Sequence, residues 1–217
     1  MLARKDPVIR DLMRAHGECG LANAQHTDPF HALLRAIVSQ QLSTKAAATI
    51  AARFDGLYGG PPTPAQVMVT SDQQLRAVGL SGQKISYVRD LCRRIGDGLL
   101  PLSALDSMSD EEVVEALTQV KGIGRWTAEM FLMFRLHRPD VLPVGDLGIV
   151  KAVQKAYRLR KVPTPERLTR IGEAWRPYRS IACWYLWASL HNKPLTNRLP
   201  EGPRAQGPGI SGLRPKF

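Results

Sequence analysis

Apolar residues recur every three to four positions along most of this chain, and no segment alternates with the period of two that marks strands joined by tight turns. Asp6-Pro7 opens a first helix as cap and first-turn proline, with Val8, Ile9, Leu12 and Met13 on one face. Asp28-Pro29 opens a second, whose apolar set is Phe30, Leu33, Leu34, Ile37 and Val38. Ser43 caps a third, running through Ala47, Ile50, Ala51 and Phe54 to Gly59-Gly60. Ser71 with Gln74, and Ser109 with Glu112, have the spacing of capping boxes. Ile85, Val88, Leu91, Cys92 and Ile95 form a further stripe that ends near Gly96. Beyond it, helices are predicted from Asp146 to about Tyr157, from Thr164-Pro165 to about Ala174, and from Arg179 to about His191. The pattern is that of an all-α protein.

With 217 residues, 44% of them hydrophobic, the chain is long enough to bury a proper core as one large domain or two small lobes. From about Pro200 the Gly- and Pro-rich composition cannot bury enough to order itself, so a flexible tail is predicted over 200–217. Lys and Arg total 30 against 19 Asp and Glu, a net charge of +11 and a pI near 10.0. That excess favours a polyanionic partner, nucleic acid before an acidic membrane, although a merely soluble basic protein has the same composition. Cys19, Cys92 and Cys183 are odd in number and far apart, which points to a reducing compartment rather than a disulfide framework. No signal peptide and no bilayer-spanning run is visible, so an intracellular, cytoplasmic protein without a membrane partner is expected. The five histidines, His16, His26, His31, His137 and His191, have no ligand spacing and are placed at the surface. Nothing resembles a heptad or an internal repeat, and a monomer is expected.

The most informative segment is Val120-Lys121-Gly122-Ile123-Gly124-Arg125-Trp126-Thr127-Ala128, followed by Pro143-Val144-Gly145-Asp146. Two glycines one residue apart between amphipathic helices allow a turn closed to residues with side chains. Backbone amides of such a turn, at the start of the next helix, hold a phosphate oxygen without any side chain. An acidic residue then opens the following helix of an otherwise basic chain. A phosphate grip with one carboxylate nearby suggests chemistry on DNA.

This segment resembles the helix-hairpin-helix plus Gly/Pro-Asp signature of the DNA glycosylase superfamily. Ile37-Val38-Ser39-Gln40-Gln41-Leu42-Ser43 and Trp175-Arg176-Pro177-Tyr178-Arg179-Ser180 narrow the resemblance to the alkylpurine branch, the 3-methyladenine DNA glycosylase II family. The resemblance implies two helical lobes with a DNA cleft between them; the family member this chain most resembles carries an extra N-terminal sheet domain, and none is expected here because the chain begins too late for one. Residues 28–137 would form a central bundle containing the hairpin at about 110–134, and residues 1–27 with 138–199 the second lobe.

The resemblance also assigns roles. Asp146 would stabilise the oxocarbenium-like sugar as the N-glycosidic bond breaks; its ordinary reading is an N-cap for the helix that follows, and the two are compatible. Trp126 and Trp187 would present indole faces to the flipped, cationic base, with Met130 also lining the pocket. Both tryptophans also suit a helical core, and Trp175 and Trp184 are read as packing. Gln41 or Leu42 would be the wedge filling the gap left by the extruded nucleotide, though Leu42 equally suits a buried helix start. Gly122 and Gly124 would grip phosphate, with Arg125 either helping or simply solvated. Carbonyls of Thr118, Val120 and Gly122 would hold a monovalent cation, Na or K, and no other cofactor is required.

Strand-cutting members of this superfamily carry a lysine nucleophile where this chain has Trp126, so a monofunctional enzyme is implied. Only Cys183 lies beyond Asp146, which excludes the four-cysteine iron–sulfur cluster of a neighbouring branch. Lys84, Arg89, Arg93, Arg94, Lys151, Lys155, Arg158, Arg160 and Lys161 are placed on solvated helix faces, a subset of them meeting phosphate. The activity implied is excision of 3-methyladenine-type purines from double-stranded DNA in base excision repair. The alternatives are a non-catalytic damage-binding protein, or a glycosylase for etheno, deaminated or mismatched bases.

Overall fold

The computed structural model describes residues 1–23 and 28–190. The tail at 200–217, residues 191–199 of the expected second lobe, His26 and His191 lie outside the described residues. Within them the chain forms α-helices, short 3₁₀ turns and no strands. The helices are α1 (Leu2–Lys5), α2 (Pro7–His16), α3 (Pro29–Ser39), α4 (Thr44–Gly56), α5 (Pro64–Val69), α6 (Asp72–Ala77), α7 (Gly82–Gly96), α8 (Asp110–Thr118), α9 (Arg125–Phe134), α10 (Leu147–Ala156), α11 (Pro165–Gly172) and α12 (Arg179–Ala188).

The start signals act as the sequence suggests. Side-chain oxygens of Asp6, Asp28, Ser43, Ser71, Ser109, Asp146 and Thr164 each accept from an amide in the first turn of the helix that follows. The boxes at Ser71/Gln74 and Ser109/Glu112 are closed in both directions. A third box, Thr63 with Gln66, starts α5, whose six residues are too few to show a stripe and bury only Val67. The third helix stops at Gly56 rather than Gly59-Gly60, and α11 passes into a 3₁₀ turn at Glu173–Trp175.

Two groups of helices share one apolar core. In the first, α3 packs on α4, α7 and α9, α5 and α6 pack on α7, and α8 packs on α9. In the second, α12 packs on α2 and α10, and α1 meets the turn at Glu173–Trp175. Asp6 is the reason the N-terminal helices belong with the C-terminal ones. Its Oδ1 caps α2 through the amides of Val8 and Ile9, at 2.9 and 3.1 Å. Its Oδ2 accepts from the Tyr157 hydroxyl and, at 2.9 Å, from the indole N–H of the fully buried Trp175. Burial and the neighbouring carboxylate push the Tyr157 phenol well above its ordinary pKa, so it stays a donor.

Helix α7 is the strut of the first group. Lys84, Arg89 and Arg94 are half-buried rather than the solvated cations expected from the sequence, whereas Arg93 is exposed, as predicted. The Lys84 ammonium donates to the Val38 carbonyl at 2.6 Å. Arg89 gathers the carbonyls of Val67, Met68 and Thr70 and the carboxylate of Asp72, satisfying the end of α5. Arg93 and Arg94 both bind the buried Asp90. Lys151, Lys155, Arg158, Arg160 and Lys161 are exposed, as predicted. His16, His31 and His137 are half-buried rather than at the surface.

The double use of Asp6 yields a stability prediction. Asp6→Ala removes a cap and the shared acceptor of the Tyr157 hydroxyl and the Trp175 indole, which keeps only its 3.1 Å bond to Tyr157; the loss costs about 2 to 4 kcal/mol. The thermal midpoint, followed by circular dichroism, is expected to fall by about 5 to 15 °C. A fall within the error of measurement would show that the donors find other acceptors.

Candidate active site

The hairpin joins α8 to α9. Gly122 sits at φ 82°, in the left-handed region, and the Tyr87 ring lies only 2.1–2.5 Å from where a Cβ would stand. Glycine is obligatory there on both counts. Gly124 is different: at φ −94° with open space around it, its conformation is open to any residue. Its contribution is to be an N-cap without a side chain, so no side-chain oxygen occupies the first amides of α9. Such a helix start suits an anionic oxygen. The Lys121 amide donates to Asp90 at 2.9 Å. Burial pushes the Asp90 carboxyl up, but this amide with Arg94 and Arg93 outweighs burial and holds it below the ordinary carboxylate range. The turn is thereby tied to α7.

Arg125 is exposed and pairs with Glu111 across α8 and α9, so part of its guanidinium is already engaged by a carboxylate. Two of the three carbonyls expected to hold a cation each accept one hydrogen bond. Val120 accepts from the Ile123 amide at 3.1 Å, and Gly122 accepts from the Gln40 side-chain amide at 2.7 Å.

Asp146 is both a cap and more than a cap. Its Oδ1 accepts from the Ile149 amide at 2.7 Å and from the Trp187 indole at 3.0 Å, and its Oδ2 accepts from the Trp126 indole at 2.8 Å. The residue is 4% exposed, and among the described residues no Lys or Arg pairs with it. Three neutral donors therefore hold the carboxylate in place without setting a countercharge beside it. An uncompensated, preorganised anion of this kind is suited to stabilising positive charge that develops beside it.

The three residues expected to wall the base pocket differ in access. Trp126 is half-buried, whereas Trp187 at 4% and Met130 at 5% exposure belong to the core. One face of Trp187 is covered by Phe134, with centroids 5.9 Å apart and planes at 27°. As arranged, Trp187 positions Asp146, and Trp126 alone of the three reaches solvent. Trp175 and Trp184 are packed in the interior, as expected. At the proposed wedge, Gln41 is exposed at φ 58° and Leu42 is half-buried.

Two residues of the site were not singled out from the sequence. A Cβ on Gly148 would stand 2.9 Å from Asp146 Oδ1 and 3.1 Å from the Trp187 ring, so a side chain there pushes the carboxylate and its indole apart. The signal was a glycine in the first turn of a helix that otherwise bears side chains. Glu129 lies three residues after Trp126 on α9 and is only 8% exposed. Burial raises its carboxyl from 4.5 to about 7, with Arg125 opposing and Asp146 and Glu111 reinforcing the rise. The folded protein thus holds this proton more tightly than the unfolded chain. The stabilisation is complete below the unfolded value and is lost as pH rises through the folded one. Accordingly, Glu129→Gln is expected to flatten the fall of the thermal midpoint between about pH 5 and 8, measured by circular dichroism across pH. Parallel curves for variant and wild type would refute the shifted carboxyl.

Known proteins share this fold. Residues 34–177 match the profile of the HhH-GPD superfamily base excision DNA repair proteins. DNA-3-methyladenine glycosylase 1 of Schizosaccharomyces pombe is 40% identical over 163 residues, 74% of this chain and 72% of that protein. The crystal structure of a DNA-3-methyladenine glycosidase from Bacillus halodurans superposes with a TM-score of 0.79 at 37% identity, covering 88% of each chain. The S. pombe 3-methyladenine DNA glycosylase in complex with abasic DNA superposes with a TM-score of 0.72 at 36% identity, covering 85% of this chain and 91% of that one. The hairpin, the carboxylate that follows it and helices α7 to α10 lie within the matched span, and the chain belongs to the HhH-GPD superfamily of base excision DNA repair proteins.

Proposed function

We infer that this chain is a monofunctional DNA glycosylase that releases alkylated purines of the 3-methyladenine type from double-stranded DNA. The observation that carries the reading is Asp146, a buried carboxylate fixed by three neutral donors and placed after a phosphate-gripping hairpin. The substrate class follows from the names of the relatives at 40% and 37% identity.

In this reading the duplex lies along the face that carries the hairpin and Gln41. Amides at the start of α9 hold a backbone phosphate, and Gln41 enters the stack as the nucleotide turns out. The extruded purine, positively charged by alkylation, meets the open face of Trp126, an attraction of about 0.5 to 2 kcal/mol. The bond between C1′ and the base nitrogen breaks, its electron pair leaves with the base, and the cationic purine departs neutral. The Asp146 charge stabilises the sugar cation that remains. Water adds its oxygen to C1′ and loses a proton, leaving an abasic site. Trp126 offers no amine for strand cleavage, which supports a reaction that ends there. No step requires a cation at the Thr118, Val120 and Gly122 carbonyls, and none requires a second copy of the chain. No described helix is long and apolar enough to cross a membrane.

The test is single-turnover release of 3-methyladenine from methylated duplex DNA, with wild type and Asp146→Asn compared at saturating protein. Loss of one electrostatic group of this type is expected to slow release by about 10²- to 10³-fold, with binding to abasic duplex retained. Equal release by both proteins would reduce Asp146 to a helix cap. Tight damage binding without release by wild type would point to a binding protein instead.

A further inference from the structure

The turn that carries Gln41 is strained and tethered. Gln40 closes α3, Gln41 adopts φ 58°, and the Leu42 amide returns to the Ser39 carbonyl at 3.2 Å. A side-chain-bearing residue in the left-handed region persists only where its surroundings hold it. Two holds are visible. Lys84 of α7 grips the last turn of α3 through the Val38 carbonyl. The Gln40 amide crosses to the Gly122 carbonyl at 2.7 Å, a contact between residues 82 positions apart.

The far end of that bond is held equally firmly. The peptide unit between Gly122 and Ile123 accepts from Gln40 at its carbonyl and donates to Val120 at its amide, so each bond polarises the other. Tyr87 lies flush against Gly122, and Asp90 takes the Lys121 amide. Lys84, Tyr87 and Asp90 are three residues apart, one stripe on α7. A single helix therefore anchors the α3 turn and the hairpin, and Gln40 closes the remaining gap between them.

Extruding a base needs the wedge and the phosphate grip to act at one nucleotide, and displacements near 1 Å in such constellations cost rate on the order of 100-fold. We propose that Gln40 is a positioning residue for base extrusion, whose side-chain amide on the Gly122 carbonyl keeps the Gln41 turn in register with the phosphate-gripping hairpin. This rests on the glycosylase reading above. The paired glutamines then divide their work: Gln41 meets DNA and Gln40 meets the protein.

Gln40→Met keeps the length and neutrality of the side chain and removes the donor. Single-turnover release is to be measured on two duplexes, one with a methylated purine in a normal pair, the other with the same purine opposite a tetrahydrofuran abasic analogue. Extrusion costs less in the second because no partner base is lost. The variant is expected to be about three- to tenfold slower on the paired lesion, as for one hydrogen bond, and close to wild type on the unpaired one. Its unfolding midpoint should stay within about 3 °C of wild type. Gln40→Glu, which points a carboxylate at the carbonyl, should show a larger split between the two substrates. An equal slowing on both, or none on either, overturns the proposal; so does a collapse of the midpoint, which would make Gln40 a residue of the fold. Wild type that releases neither purine overturns the glycosylase reading, and this one with it.

Discussion

Three N–H groups from three helices converge on one buried carboxylate: the Trp126 indole of α9, the Ile149 amide of α10 and the Trp187 indole of α12. Leaving a carboxylate unsatisfied away from water is costly, so the three helices are constrained to meet at Asp146. The same satisfaction leaves the negative charge intact, because every donor is neutral. Structure and chemistry thus ask for one arrangement. Gly148 shows how tight it is, since the space a methyl group would need is already taken by the carboxylate and its indole.

Buried aspartates repeat this economy elsewhere in a chain with net charge +11. Asp6 caps α2 and binds Tyr157 and Trp175, which joins the two ends of the sequence. Asp90 collects Arg93, Arg94 and the Lys121 amide, which joins α7 to the hairpin. In each case one short side chain serves near neighbours in sequence and a distant partner together. Short side chains lose little rotamer freedom on burial, which favours aspartate over glutamate at such junctions. Glu129 is the contrast. It is buried without a compensating ion pair of its own, and its proton is correspondingly hard to remove.

The cations of α7 differ from those in and after α10. Lys84 and Arg89 spend their donors on protein carbonyls at helix ends, and Arg93 and Arg94 on Asp90. Lys151, Lys155, Arg158, Arg160 and Lys161 remain exposed. Net charge alone therefore overstates the number of cations free to meet a polyanion, and Arg125 beside Glu111 belongs with the engaged set.

The sequence by itself determined what is local. Helix starts followed from caps and prolines, the buried faces of α3 and α7 from their period, and the hairpin and Asp146 from adjacent residues of fixed type, because each depends on neighbours within a turn or two. Short α5 escaped because six residues cannot display a period. Only the tertiary structure decided the partners. That Trp187 serves the carboxylate from within the core, that the charged side chain of Glu129 is buried, and that Gln40 reaches Gly122 across 82 positions are facts of packing. A side chain carries the same identity whether it faces water or a distant carbonyl, and the choice is made when helices far apart in sequence come together.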